Sequence, residues 1–198
     1  MSESEKHCFI CTWGAPILKQ KARPITVFDK ALANQAKHML KSMYIANGIG
    51  LAAPQVGVST QLVVIDLQLK SSPDCVKLDG REIPLALIQP FCFCNPSFEP
   101  VNDIKIEGEE GCLSLPDVRG NVKRYHQIIL TYQDLEGVGH TLQCSGLLAR
   151  CIQHEWDHLQ GILFIDRMSK IERRENKNLL NDIKALGGSF DYMDDLEC

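Results

Sequence analysis

The sequence predicts an α+β domain whose strands pair antiparallel. Two stretches repeat apolar residues at helical spacing, and several short β-branched runs are separated by Gly, Pro and Asp turns. The helical and strand stretches do not alternate in βαβ fashion, which removes the main route to a parallel sheet. At 198 residues the chain has room for one ordinary domain and little for a second.

Residues 1–12 read as a loosely held N-terminal arm, 13–186 as the folded domain and 187–198 as an acidic, mobile tail. Within 28–46, Leu32, Ala36, Met39, Leu40 and Met43 recur at helical spacing, and Asn47-Gly48 supplies the break that ends this first helix. Residues 61–67 (QLVVIDL) form a β-branched strand, and 70–84, rich in charge and turn residues, an irregular excursion or long hairpin. Further short strands are expected at 85–94, 104–107, 127–132 and 139–144. The second helix covers 146–160 with Gly161 as its stop. The third runs from 171 to about 186, opened by a Ser169-x-x-Glu172 capping box and closed by Gly187-Gly188.

Composition narrows the function classes. Hydrophobic residues make up 44% and charged residues 23%, which rules out wholesale disorder. A formal net charge of −4 gives no electrostatic footprint for DNA or for an anionic membrane. The longest uncharged stretch, 42–65, is interrupted by Asn47, Gly48, Gly50, Pro54, Gln55 and Gln61, so it is no spanning segment. The start, Met1 to His7, is acidic and polar and does not resemble a secretory signal. A cytoplasmic setting is the expectation, in which the nine cysteines are thiols or metal ligands rather than disulfides, although a secreted form with its signal removed would read the same.

The most informative residues are His154-Glu155-Trp156-Asp157-His158, an H-E-x-x-H on the second helix. Positions four apart differ by about 40° around a helix axis, so both imidazoles point the same way. Leu147 and Cys151 share that stripe, which turns it inward. Glu155 lies beside the pair, where a carboxylate can take a proton from a water whose pKa a cation has lowered. Asp157 can be a solvated carboxylate, orient a ligand, or pair with Arg124. The longer protease pattern fails, because Phe164 stands where its third histidine belongs. A third ligand can come from Glu172 or Glu175, which lie in a charged run, or from Cys112 in the loop-like segment 109–116.

Residues 48–57 (GIGLAAPQVG) match the dinucleotide fingerprint G-x-G-x-x-A, but they follow a helix and precede a strand, the reverse of what that site needs. A glycine-rich turn ending in Gln55 instead suits close backbone approach to a ligand. Cys8, Cys11, Cys92 and Cys94 read as ordinary thiols, with convergence on a structural zinc as the alternative, since side chains two apart on a strand share a face.

Taken together, Gly48 to Gln55 (G-x-G-L-A-A-x-Q), Glu110 to Ser114 (E-G-C-L-S) and His154 to His158 (H-E-x-D-H) resemble the three motifs of the peptide deformylases, in family order. Gly14 to Leu18 is similar to that family's opening segment, so the resemblance covers about 13–186. It implies antiparallel β-sheets packed around a central metal-binding H-E-x-x-H helix, with N-terminal and C-terminal helices. It also implies hydrolysis of the formyl group from nascent formyl-methionyl chains, with release of formate. Cys112, His154 and His158 would bind one divalent metal, natively iron(II), with zinc, nickel or cobalt also acceptable to such donors. Glu155 would be the general acid/base, and Gln55 with the Leu113 N–H would hold the oxyanion. Gly50 would pair with the peptide, Arg119 would lie along its path, and Ile49, Glu110 and Leu147 would wall the methionine pocket. Arg150 departs from the family pattern, where an aliphatic pocket residue is usual. Lys170, Arg173, Arg174 and Lys177 would suit ribosomal RNA, since a long C-terminal helix is linked to ribosome docking in the family, or would simply form a solvated face. The competing expectation is a zinc endopeptidase using Glu172 or Glu175.

Overall fold

The computed structural model describes residues 8–68, 76–185 and 188–190. A seven-stranded antiparallel sheet forms the centre. Its strands are β2 (Gly50–Ala52), β3 (Leu62–Ile65), β4 (Lys77–Leu78), β5 (Arg81–Glu82), β6 (Phe91–Pro100), β9 (Gln127–Gln133) and β10 (Gly139–Ser145), in the order β2-β3-β6-β9-β10-β4-β5. Strands β7 (Lys105–Cys112) and β8 (Leu115–Tyr125) form a separate hairpin, and β1 (Ile10–Cys11) pairs with β11 (Ser189–Phe190). The mixed composition of antiparallel sheets and few helices is the α+β architecture expected.

The helices start and stop on specific residues. Helix α1 (Lys30–Ile45) is capped by Asp29, whose carboxylate accepts from the Leu32 N–H. Asn47 then adopts φ 52°, and Gly48 N–H reaches the Met43 carbonyl at 2.8 Å, closing the helix as a Schellman motif. Helix α2 (Gly146–Leu159) ends the same way at Gly161, φ 72°, with Ile162 N–H on the Asp157 carbonyl. A Cβ on Gly161 would lie 2.7 Å from the Lys19 carbonyl, so the position needs glycine for space as well as for its φ. One core packs α2 against the central sheet, a second packs α1 with β2 and β3, and a third sits under the β7–β8 hairpin.

Several sequence expectations need correction. Residues 85–87 make a short 3-10 turn, and the strand begins only at Phe91 and runs to Pro100. Strand β8 escaped notice because its buried positions Leu115, Val118, Gly120, Val122 and Arg124 include a glycine and a charge. The Glu110–Cys112 segment is the end of β7, not a loop; the turn follows at Leu113 and Ser114. The third helix breaks at Asn176 into α3 (Lys170–Glu175) and α4 (Lys177–Ala185). Its start keeps the capping box: Glu172 N–H donates to Ser169 Oγ, and Ser169 N–H donates back to Glu172 Oε2. The end expected at Gly187 lies outside the described residues.

The arm is not loose from residue 8 onward. Ile10 and Thr12 are buried, and the Cys8 N–H donates to Ser42 Oγ. Tail residues 189 and 190 pair with β1; positions 1–7 and 191–198 lie outside the described residues. Of the excursion, 77–82 forms the β4–β5 hairpin and 69–75 lies outside the described residues. No helix among the described residues is long and apolar enough to cross a membrane.

Candidate metal centre

Two elements bring the donors together. Helix α2 supplies His154 and His158, one turn apart, with ring centroids 5.1 Å from each other. Strand β7 supplies Cys112, whose Sγ lies 3.2 Å from His158 Nε2. One donor atom from each of the three residues falls within 4.8 Å of the others. Among the described residues this is the one group of three or more His, Cys, Asp or Glu placed to share a cation. Cys8, Cys11, Cys92 and Cys94 therefore do not converge on a zinc. Cys94 is packed in the core under α1, while Cys11 lies against the core beneath the hairpin.

A buried carboxylate orients the first histidine. Glu110 Oε2 accepts from His154 Nδ1 at 2.9 Å, which leaves the other ring nitrogen for the cluster. Arg124 grips Glu110 through Nε and Nη2, both at 2.9 Å, and reaches Asp157 with Nη1. Arg167 completes the network on Asp157. Of the three possibilities for Asp157, pairing with Arg124 is the one observed. Burial would raise the Glu110 pKa, but the Arg124 guanidinium and His154 overcome that and hold it far below the usual carboxylate range. Phe164 stacks along the His154 ring at 6.0 Å, so the position of the missing third histidine is used for packing.

The histidines differ in proton affinity. Burial opposes charge on His154, yet its bonds to Cys112 and Glu110 raise its pKa well above the ordinary value. Burial and the charge of His154 push His158 well below. Glu155 is buried and raised to about 7, chiefly by desolvation. Its Oε2 and the His158 Nδ1 have no hydrogen-bond partner among the described residues. Gln55 is aimed by its own backbone: the Ala52 N–H donates to Oε1 at 2.8 Å, leaving Nε2 3.4 Å from Cys112 Sγ and 3.2 Å from Ser114 Oγ.

A cleft of about 410 Å³ opens over the cluster. The sequence-predicted residues Ile49, Gly50, Gln55, Glu110, Cys112, Leu113, Arg119, Leu147, His154 and Glu155 all line it. His158 alone lies behind this surface. Leu147 and Ile49 stand at the rim, 42% and 37% exposed. Glu110 is more than a pocket wall, since its carboxylate is committed to Arg124 and His154. At Gly50 a Cβ would lie 2.5 Å from Glu155 Oε1 and 2.8 Å from Cys151 Sγ, so only glycine lets this backbone reach the carboxylate. Glu172 accepts from Ser169 and from the N–H and Nδ2 of Asn121, and neither it nor Glu175 belongs to the donor cluster. The endopeptidase reading loses its third ligand.

Sequence reasoning missed Ser114, Arg167 and Gln153. Gln153 is buried and bonds both the N–H and the carbonyl of Tyr125, tying the end of β8 to α2. Its place beside His154 was the available signal.

Residues 8–174 match the polypeptide deformylase family. The chain belongs to the peptide deformylase family. A peptide deformylase of Opitutus terrae is 50% identical over 165 residues, 83% of this chain and 86% of that protein. One from Chlorobium luteolum is 41% identical over 193 residues, 96% of this chain and 93% of its own length. Among solved structures, peptide deformylase from Synechococcus elongatus in complex with actinonin superposes with a TM-score of 0.74 at 37% identity, covering 86% of this chain and 84% of that one. The Plasmodium falciparum peptide deformylase gives 0.75 at 31% identity, covering 88% and 94%. This membership identifies the chain as a metal-dependent hydrolase.

Proposed function

We propose that Cys112, His154 and His158 hold one divalent cation and that the cleft above them removes the formyl group from formyl-methionyl peptides, the activity of the deformylase family. The observation that carries the ligand assignment is the convergence of one sulfur and two imidazole donors within 4.8 Å. Two nitrogens and a thiolate suit a four-coordinate site with one position open. The native ion is assigned as iron(II), the preference that the family resemblance implies; zinc, nickel and cobalt fit the same donors. When bound, the cation would lower the pKa of a water and polarise the formyl oxygen.

The chain's own groups do the rest. Glu155, with a pKa raised to about 7 and a buried oxygen that has no hydrogen-bond partner among the described residues, takes a proton from the attacking water and passes it to the departing amine. Gln55 Nε2, held by the Ala52 bond, and the Leu113 N–H donate to the oxyanion. Each such donor is worth roughly 3–4 kcal/mol in other enzymes. The Gly50 backbone pairs with the peptide, Arg119 lies along its path, and Ile49, Glu110 and Leu147 wall the side-chain pocket. Residues 13–186 form the catalytic unit in this reading.

The test is Cys112→Ser assayed for formate release from a formyl-Met peptide, with the cation measured. Deformylation should fall at least a hundredfold with loss of tight cation binding; wild-type activity in the variant would overturn the assignment. Ribosome contact through exposed Lys170, Arg174 and Lys177 is a second part of the proposal; Arg173 is partly spent on Asp166. Co-sedimentation with ribosomes that survives charge reversal at those three positions would remove it.

A further inference from the structure

Arg150 lines the cleft but has no part in the chemistry above. Its Nη1 donates to Glu110 Oε1 at 2.8 Å and to the Val122 carbonyl at 2.9 Å, with a longer contact of 3.4 Å to the Gly108 carbonyl. Nη2 donates to the Ile106 carbonyl at 2.7 Å. One side chain on α2 thus touches both strands of the β7–β8 hairpin and the carboxylate of Glu110 on β7. A planar guanidinium can span that set of acceptors; a lysine ammonium, a single point of charge, cannot.

Arg150 precedes His154 by one helical turn, and the two reach opposite oxygens of the same carboxylate, Arg150 to Oε1 and His154 to Oε2. Gly108 makes room for this. A Cβ there would lie 3.0 Å from Nη2 and 3.1 Å from Cζ of Arg150, closer than ordinary contact. The donor set needs the hairpin and the helix at a fixed separation, because Cys112 comes from one and the histidines from the other.

We propose that Arg150 is a positioning residue that fastens the hairpin bearing Glu110 and Cys112 to the helix bearing His154 and His158, and so sets the shape of the donor set and of the cleft wall. The inference rests on the ligand assignment above. Both terminal nitrogens are engaged by fixed acceptors, Glu110 among them, so the residue holds the protein rather than a substrate anion.

The test uses Arg150→Met, Arg150→Lys and Gly108→Ala in the full chain loaded with cobalt(II). Four quantities are read: kcat and KM on a formyl-Met peptide, the rate of cobalt loss to a chelator, and the melting temperature. All three variants should lose cobalt about tenfold faster and drop kcat/KM by about tenfold or more while still fully folded at the assay temperature. Lysine should fail to rescue, because charge alone does not span two strands. Wild-type cobalt retention and kcat/KM in folded Arg150→Met, or full rescue by Arg150→Lys, would overturn the proposal. Should Arg150→Met not fold, Gly108→Ala decides: it displaces the guanidinium without removing it, and unchanged cobalt retention there overturns the idea equally. Wild-type protein that releases no formate would sink the functional reading instead, and cobalt retention would still report on Arg150.

Discussion

Two hairpins of this fold are each held by a cluster of charges, one buried and one open to solvent. The β7–β8 hairpin is tied to α2 through Glu110 and Arg124, both side chains 4% exposed, with Asp157 beneath them. The β4–β5 hairpin is tied to β10 through His140, whose ring lies 2.9 Å from Asp79 and 3.1 Å from Asp134. Asp79 is 49% exposed. In each cluster a cation lies between two carboxylates, Arg124 between Glu110 and Asp157 and His140 between Asp79 and Asp134, yet their energies differ several-fold. A buried pair has given up its hydration, so removing one partner costs about 3–5 kcal/mol. An exposed pair exchanges water for a partner and gains about 0.2–1 kcal/mol. Burial, rather than the number of charges, separates the first cluster, which also holds the ring of the candidate ligand His154, from the second, a surface clasp.

Glu110→Gln is the sharpest way to break this contrast. The change keeps the shape of the side chain and removes the charge that faces Arg124, Arg150 and His154. Stability should fall by about 3 kcal/mol in a denaturant titration. Cation affinity or turnover should fall about 10- to 100-fold through loss of the His154 orientation. Adding Arg124→Met to that variant should recover part of the stability without recovering turnover, since it removes the guanidinium that lost Glu110, Arg167 still holds Asp157, and His154 stays unheld. Equal recovery of both would show that Glu110 acts only on the fold.

The same contrast explains what could be read from the sequence. Helices α1 and α2 were legible because their apolar spacing and C-terminal stops are local: Asn47 and Gly161 do their work within a few residues. The three motifs were legible because each is contiguous. What escaped depended on partners far along the chain. Arg124 inside β8 breaks an otherwise alternating strand, and only Glu110 and Asp157, 14 and 33 residues away, make its burial tolerable. Glu110 looked like a pocket wall for the same reason. Ile10 read as part of a free arm because its strand partner is Phe190, at the other end of the chain. The break at Asn176 was hidden because its side chain serves tertiary contact, donating to the Arg119 carbonyl.

The exposed clasp gives the smaller effect, and it carries a sign in pH. His140 has its pKa raised above its ordinary 6.5, first by the hydrogen bond to Asp79 and then by that to Asp134. Its stabilising contribution is therefore complete below about 6.5 and fades as pH rises through the raised value. Asp79 and Asp134 are lowered, Asp79 mainly by His140 and Asp134 by the Val138 N–H and His140 against its burial. Their share fades as pH falls below the ordinary carboxylate range, so the clasp is strongest between about 4 and 6.5. Arg81 adds to the lowering of Asp79, and Tyr132 lies against the His140 ring at 5.4 Å. In His140→Gln the melting temperature should lose its decline just above pH 6.5. The two proteins should differ by no more than about 1 kcal/mol at pH 5.5 and converge in mild alkali. Deformylation at pH 7.5 should match wild type, because none of these groups lines the cleft. A parallel pH slope in the variant would show that His140 is not the titrating group, and lost activity would tie the hairpin to the site after all.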